Sequence, residues 1–244
     1  MRRGQTGFTL VELLVALTIG LFLLGGLMTL VQDNRRAFSS QNQMAVLQDN
    51  ERMAMSMMTD VIQAGGYFPN PSLYTASSWL VAAGAMAQGQ AYIGTYGGGV
   101  APGDSITSRY ATASGDTIIN CSGGANTSGG VQLYTNVFSV VNGQLICTMN
   151  GTVYPLVGAV TGTPNAISVT NFAVLYGVNS AGTGNNVDTY MNAAQVTAGG
   201  DWNNVISLQV TLTFTNPLYV TAGQGQPLTI SFQRDISVMS KTGI

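Results

Sequence analysis

Few side chains in this 244-residue sequence are of the types that perform catalysis or bind transition metals. There is no histidine, and the only cysteines are Cys121 and Cys147. Without an imidazole, the chain has no Ser-His or Cys-His nucleophile, no histidine-based zinc site and no ordinary general base near neutral pH. We therefore expect no enzyme, no catalytic residue and no cofactor.

The charged residues are sparse and show no clustering that would mark a ligand site. Asp104, Asp116, Asp188 and Asp201 are scattered, and a calcium ion would be held only if two or more of them met, so no metal site is assigned. Eight Lys plus Arg oppose ten Asp plus Glu, which leaves no basic stripe for nucleic acid. Charged residues make up only 7% of the chain, so copies repel each other weakly and assembly is a reasonable expectation.

One acidic residue, Glu12, interrupts an otherwise apolar run over residues 8–31. As a helix this run would measure roughly 36 Å, enough to cross a hydrocarbon core of about 30 Å. A cleavable secretory signal would have a shorter apolar core and no acid near its start. An acid in lipid is costly, so Glu12 either has a partner there or lies at the interface and reaches water.

The segment GFTLVELL at residues 7–14 resembles the class III signal sequence of type IV prepilins and pseudopilins. The resemblance implies a leader at 1–7, cleaved after Gly7 on the cytoplasmic side by a prepilin peptidase that then methylates the amine of Phe8. It implies that Glu12 neutralises the terminal ammonium of a neighbouring subunit during assembly. It also implies a single-pass inner-membrane protein, N-terminus inside before cleavage, that later becomes part of an extracellular pilus.

The helical pattern continues through residues 32–64 and should end at Gly65-Gly66, a suitable glycine C-cap. This half of the helix is predicted to lie in the periplasm. It carries two apolar rows, one predicted to pack on a globular domain and the other left for neighbouring helices, although both rows could instead fill one core. The first row is Met44, Leu47, Met55, Met58 and Ile62, and the second is Val46, Met53, Met57 and Val61.

Residues 65–244 read as a β-rich globular domain with Gly-rich loops. The clearest strand covers 205–216, where apolar and polar residues alternate, and it is predicted to pair with an alternating run from Leu228 as an antiparallel hairpin. Further strands are expected at 105–111 and 167–176, whereas 67–103 reads as a long loop with one short element near Trp79. The predicted fold is an α+β ladle, with one antiparallel sheet packed on the helix and with Trp79 and Trp202 in the core.

Cys121 and Cys147 both lie in the part that this orientation places outside the cytoplasm, where thiols are oxidised. A disulfide between them is therefore predicted, with two free thiols as the alternative. Asn150-Gly151-Thr152 matches a glycan acceptor sequence, but that pattern often occurs by chance.

Beyond the leader, the chain resembles the PilW-like minor pilins. Four segments carry the resemblance: LQDNER at 47–52, DSITSRY at 104–110, FAVLYG at 172–177 and WNNVISL at 202–208. The resemblance implies a minor pilin that primes a type IV pilus and supports motility, adhesion or DNA uptake. Its implied partners are other pilins through the N-terminal helix, the prepilin peptidase, the inner-membrane assembly platform and a tip adhesin. A J-type pseudopilin of type II secretion and a membrane-anchored ligand-binding protein are the alternatives.

Overall fold

The computed structural model describes residues 7, 9–162, 166–181, 184, 186–219 and 225–241. A single helix, α1 (Leu10–Gln63), opens the chain. It runs through the boundary between two compact units, Met1–Ala45 and Val46–Ile244, which are described separately. In the first unit nearly every described residue of the helix is exposed.

In the second unit, the chain leaves α1 through a turn that ends at Gly66. Gly66 has φ +81°, a conformation that glycine adopts without a Cβ penalty, and its amide donates to the carbonyl oxygen of Arg109. The end of α1 is thereby fastened to a strand of the globular part.

The first sheet has five antiparallel strands in sequence order. They are β1 (Tyr92–Thr95), β2 (Ser105–Thr112), β3 (Gln132–Val141), β4 (Gln144–Met149) and β5 (Thr152–Val157). Two Asn-Gly pairs connect β3 to β4 and β4 to β5, and Asn142, Gly143, Asn150 and Gly151 all have positive φ. These are the angles of tight hairpin turns, so the turn between β4 and β5 accounts for the asparagine at position 150.

The second sheet has four antiparallel strands in the order β7-β6-β8-β9. Their bounds are β6 (Val169–Val178), β7 (Thr189–Met191), β8 (Val205–Thr215) and β9 (Thr229–Ser237). The predicted hairpin between β8 and β9 is confirmed, with Phe214 opposite Ile230 and Leu208 opposite Ile236. The α+β class is therefore confirmed, but the single predicted sheet is wrong, because the strands divide into two sheets.

Short helices fill the connections. Within the expected loop 67–103 lie α2 (Ala76–Trp79) and β1; only the former was anticipated. The other short helix, α3 (Ala193–Gly199), begins at Asn192, whose side chain accepts from the amide of Gln195 at 3.0 Å. Trp202 lies in a 3₁₀ turn before β8 and packs edge-on against Tyr176, with ring centres 4.9 Å apart. It is buried as predicted, whereas Trp79 is only half-buried.

The second half of α1 packs into the domain along one face. Ser108 on β2 donates to the carbonyl oxygen of Val61 at 3.0 Å, and Tyr92 on β1 donates to that of Ile62 at 2.6 Å. Glu51 lies 4.0 Å from Arg234 on β9 of the other sheet.

The two predicted rows of α1 divide differently from the expectation. Val61 is fully buried and belongs to the core, although it was assigned to the row reserved for neighbours, while Val46 and Met53 stay exposed. Met44 is only half-buried. The reason is that 3.6-residue periodicity brings Val61 round beside Met58 and Ile62 at the end of the helix.

Candidate functional site

The start of α1 carries the residues predicted for processing and assembly. Gly7 is exposed and precedes the helix, and the space where a Cβ would lie is empty within 4 Å. No described residue therefore lies close enough to require glycine at this position. Phe8 lies outside the described residues.

Glu12 is bonded to the residue that precedes the helix. Its carboxylate accepts from the amide and hydroxyl of Thr9, both at 3.4 Å, and its own amide donates to the Thr9 hydroxyl at 3.3 Å. This reciprocal arrangement is a capping box, which satisfies two amides that the first turn leaves without partners. The bonds are long and Glu12 is exposed, so its carboxylate remains accessible to a cation.

The rest of the apolar run provides a surface without partners in the single chain. Among the described residues, α1 is the one helix long and apolar enough to cross a membrane, with a mean hydropathy of 2.4 over its most apolar window and no part of that window buried. Phe22 is 84% exposed. Such a surface requires lipid or other subunits to remove it from water.

Cys121 and Cys147 form a disulfide, with their Cα atoms 6.2 Å apart. Both residues are buried, and no described cysteine is free, so the alternative of two free thiols is wrong. The bond joins the irregular segment after β2 to the middle of β4. It closes a loop of 26 residues, for which chain entropy predicts a stabilisation of about 3 to 4 kcal/mol.

The four scattered aspartates are not gathered into one group of ligands in the described structure. No group of three or more potential ligands occurs in the part of the chain that the structure describes. Asp116 accepts from the amide of Ala113 at 2.9 Å and Asp188 from that of Ser180 at 3.1 Å, so both stabilise turns. The calcium alternative has no support in this geometry.

The N-terminal segment and the C-terminal part each match a family model. Residues 2–28 match the prokaryotic N-terminal methylation motif, and residues 139–240 match the Type IV Pilus-assembly protein W family. The chain is a pilin with a PilW domain in its C-terminal part. No curated protein matches it at a significant level. Among solved structures it is similar to the type IV-like pilin TTHA1219 from Thermus thermophilus, with 12% identity, a TM-score of 0.41 and coverage of 79% of this chain and 95% of that one.

The two matches fall on distinct parts of this pilin. The methylation motif includes Gly7 and Glu12 and most of the apolar run, whereas the PilW match begins within β3 and takes in the whole four-stranded sheet. A methylation motif together with a long apolar helix fits a pilin that is anchored in the inner membrane and assembled into a pilus.

Two charged residues of the pilin, Asp104 and Arg109, are buried and have structural roles that the sequence did not indicate. Asp104 was considered only as a possible calcium ligand, and Arg109 was given no role. Asp104 accepts from the amide of Gly97 and from that of Val174 on β6, both at 2.8 Å. It thereby joins the loop before β2 to the second sheet.

Arg109 is fully buried on β2 and donates only to main-chain oxygens. Its guanidinium reaches the carbonyls of Val81 at 2.6 Å, Ala87 at 3.0 Å and Gln90 at 2.7 and 3.2 Å. Burial lowers the pKa of Arg109, because desolvation disfavours its charge. The only hint in the sequence was a lone arginine inside an otherwise uncharged strand, a pattern that is also typical of an exposed edge.

Proposed function

We propose that this pilin is a minor subunit that primes assembly of a type IV pilus and is incorporated into it, close to other minor pilins. The observation that carries the proposal is the pairing of a methylation motif at 2–28 with a PilW match at 139–240 in one chain. Through the filament, the protein would support surface motility, adhesion or DNA uptake.

Gly7 is exposed, as a cleavage site for a prepilin peptidase has to be. Cleavage after Gly7 makes Phe8 the new N-terminus, directly before the capping residue Thr9, and places a methylated ammonium at the head of α1. A helix start already carries partial positive charge, so this ammonium is unfavourable unless a carboxylate approaches it.

Glu12 of a neighbouring subunit would supply that carboxylate. Two unit charges about 4 Å apart interact by about 1 kcal/mol in water and about 4 kcal/mol at an effective dielectric of 20. Once the ends of the helices are removed from water, it is therefore favourable for Glu12 to exchange its weak bonds with Thr9 for an ion pair with the neighbouring subunit. Glu12 would thus cap α1 in the monomer and, in the filament, fix the position of one subunit relative to its neighbour.

The test separates maturation from assembly. For Gly7→Val, the intact mass of the chain should remain that of the precursor. For Glu12→Gln, the mass should be that of the N-methylated mature chain, while the amount recovered in sheared filaments should fall by about tenfold or more. Asp33→Asn, at an exposed acid further along α1, is the matched control and should incorporate normally.

Three outcomes would contradict the proposal. They are a wild-type chain that keeps its leader in cells, Glu12→Gln subunits that enter filaments at the wild-type level, and filaments built mainly from this chain, which subunit counting by imaging would detect. Secretion defects without loss of pili would favour the pseudopilin alternative.

A further inference from the structure

A pocket of about 560 Å³ opens where α1 ends. Asp60 and Gln63 of α1 form one side, and Tyr67, Ile118, Ile119 and Met239 form most of the remainder. Its walls are mainly apolar, and Asp60 is the one charged residue that lines it. We refer to these six residues as the helix-end pocket.

The walls of the helix-end pocket are held by bonds from the core. Tyr110 donates to the carbonyl oxygen of Ile119 at 2.9 Å, and the disulfide of Cys121 anchors the same segment shortly afterwards. On the opposite wall, Ser240 donates to the carbonyl oxygen of Gly65 at 3.1 Å. The pocket is therefore formed before any partner arrives, so a partner does not have to order it.

A shallow groove of about 370 Å³ continues from the pocket along the exposed side of α1. The residues that line it recur at helical spacing and are Asp49, Arg52, Met53, Ser56, Met57 and Asp60. Because Asp60 lines both the groove and the pocket, the two form one surface, which we call the helix-side surface. Met53 is 55% exposed there and Met239 is 58% exposed.

The charge of the helix-side surface is acidic where it meets the pocket. Asp49 and Asp60 outnumber Arg52, and the carboxylate of Asp60 makes no ion pair with any described residue. A partner that fits this surface carries an apolar side chain for the pocket and a basic residue beside it.

This pilin itself shows what such a partner segment looks like. Four residues after the apolar run ends, and two after Asp33, α1 carries Arg35 and Arg36 followed by Phe38, and Phe38 is 74% exposed. Basic and aromatic side chains thus lie close together in sequence on an exposed helix. A segment of this kind complements the helix-end pocket, because the basic group matches Asp60 and the aromatic group matches the apolar walls.

We propose that the helix-side surface binds a neighbouring pilin subunit through a basic-aromatic segment that follows the apolar run of that subunit's helix. The aromatic side chain enters the helix-end pocket, and the basic residue pairs with Asp60. The inference rests on the proposed function, because it names the neighbour that the pilin meets in the filament.

Site-specific photocrosslinking in piliated cells tests the inference on the full chain. p-Benzoylphenylalanine replaces Thr117, an exposed residue that lines the pocket, and in a second strain it replaces Phe22 in the apolar run. Peptide mass spectrometry of the Thr117 product should identify another pilin, crosslinked within the residues that follow its apolar run. Asp60→Arg should lower the yield by about tenfold, and Asp188→Arg, an exposed turn residue, should not.

The Phe22 probe distinguishes failure of this inference from failure of the proposed function. If Phe22 gives pilin crosslinks but Thr117 gives none, the inference is overturned and the proposed function stands. The same holds if the Thr117 products lie in globular regions of a pilin or in non-pilin proteins. No pilin crosslink from either position overturns both. A crosslink yield from Thr117 that is the same in Asp60→Arg and in wild type also overturns the inference. If the yield falls in Asp60→Arg and recovers when the partner's basic residue is changed to Asp, the ion pair is confirmed.

Discussion

Asp104 and Arg109 lie close together in sequence, and both act on main-chain groups rather than on other side chains. Asp104 accepts from two amides on different parts of the domain, and Arg109 donates to three carbonyls of one loop. Charged groups that are buried in this way are stable only because main-chain dipoles replace water around them. Each residue should therefore be far more sensitive to substitution than an exposed charge.

Asp104→Ala should lower the free energy of unfolding by about 3 kcal/mol, because two buried amides lose their acceptor. For a domain of this size, that corresponds to a fall of roughly 6 to 12 °C in the midpoint of thermal unfolding. Circular dichroism of the detergent-solubilised chain measures it. Asp188→Ala removes an exposed turn acceptor and should shift the midpoint by less than a third as much; equal shifts would contradict the special role of Asp104.

Arg109→Met keeps most of the side-chain volume but removes every bond that the guanidinium donates to the carbonyls of Val81, Ala87 and Gln90. Of these three oxygens, that of Ala87 keeps the amide of Gln90 as a donor. We expect a loss of roughly 3 to 5 kcal/mol in the free energy of unfolding and preferential proteolysis between residues 67 and 103. Limited proteolysis followed by mass spectrometry locates the cuts. The exposed Arg52→Met is the matched control, and an unchanged cutting pattern in the Arg109 variant would show that the loop is held by other contacts.

At the scale of elements, the chain before β2 crosses over to the second sheet. The amide of Asp104 donates to the carbonyl oxygen of Phe172, and the amide of Phe172 donates to that of Pro102. Gly103 lies between these bonds with φ +100° and faces the main chain of β6, where a Cβ would collide with the Phe172 oxygen. The two sheets are joined here through the main chain, so no side-chain movement can relieve added volume.

Gly103→Ala should therefore destabilise the domain much more than the same substitution at Gly115. Both residues have positive φ, but nothing lies within 4 Å of a Cβ at Gly115. We expect about 1 kcal/mol from backbone strain at Gly115 and at least about 3 kcal/mol at Gly103, where overpacking adds to the strain. Denaturant titration of both variants measures the difference in the free energy of unfolding. Equal losses would mean that the main chain at Gly103 shifts to accept the added methyl group without a further loss of stability.

At the scale of the whole molecule, the strand pattern shows how far sequence reasoning reached. Alternation in 205–216 predicted β8 and its pairing with β9, because one face of the strand is buried and most of the other face is only partly buried. The strands β3 to β5 were missed although Asn142-Gly143 and Asn150-Gly151 are strong hairpin signals; the second pair was interpreted only as a chance glycan sequence. The contacts of Asp104 and Arg109 were beyond prediction, because they depend on which main-chain atoms the fold brings together.

Among the described residues, burial raises the pKa of Tyr92, Tyr110 and Tyr176, chiefly by desolvation, and nearby Asp104 raises that of Tyr176 further. A raised pKa in the folded state means that the stabilisation is complete below the unfolded value of about 10 and is lost as the pH rises above it. The chain has no histidine, so stability should stay nearly constant from about pH 6 to 9 and then fall.

Thermal unfolding between pH 6 and 11 tests this expectation. Tyr92→Phe removes one ionisable group and should make the alkaline decline less steep, although the loss of the bond to Ile62 lowers stability at every pH. Tyr96→Phe, at an exposed tyrosine, should leave the slope unchanged. A midpoint that falls steeply between pH 6 and 8, or equal slopes for wild type and Tyr92→Phe, would contradict the assignment.

The guanidinium of Arg109 donates to three main-chain carbonyls of the loop and to none of its side chains. Substitutions in that loop can therefore accumulate without altering its path, as long as the oxygens stay in place. Exposed positions such as Leu73, Tyr74 and Val100 are consequently open to rapid divergence between strains.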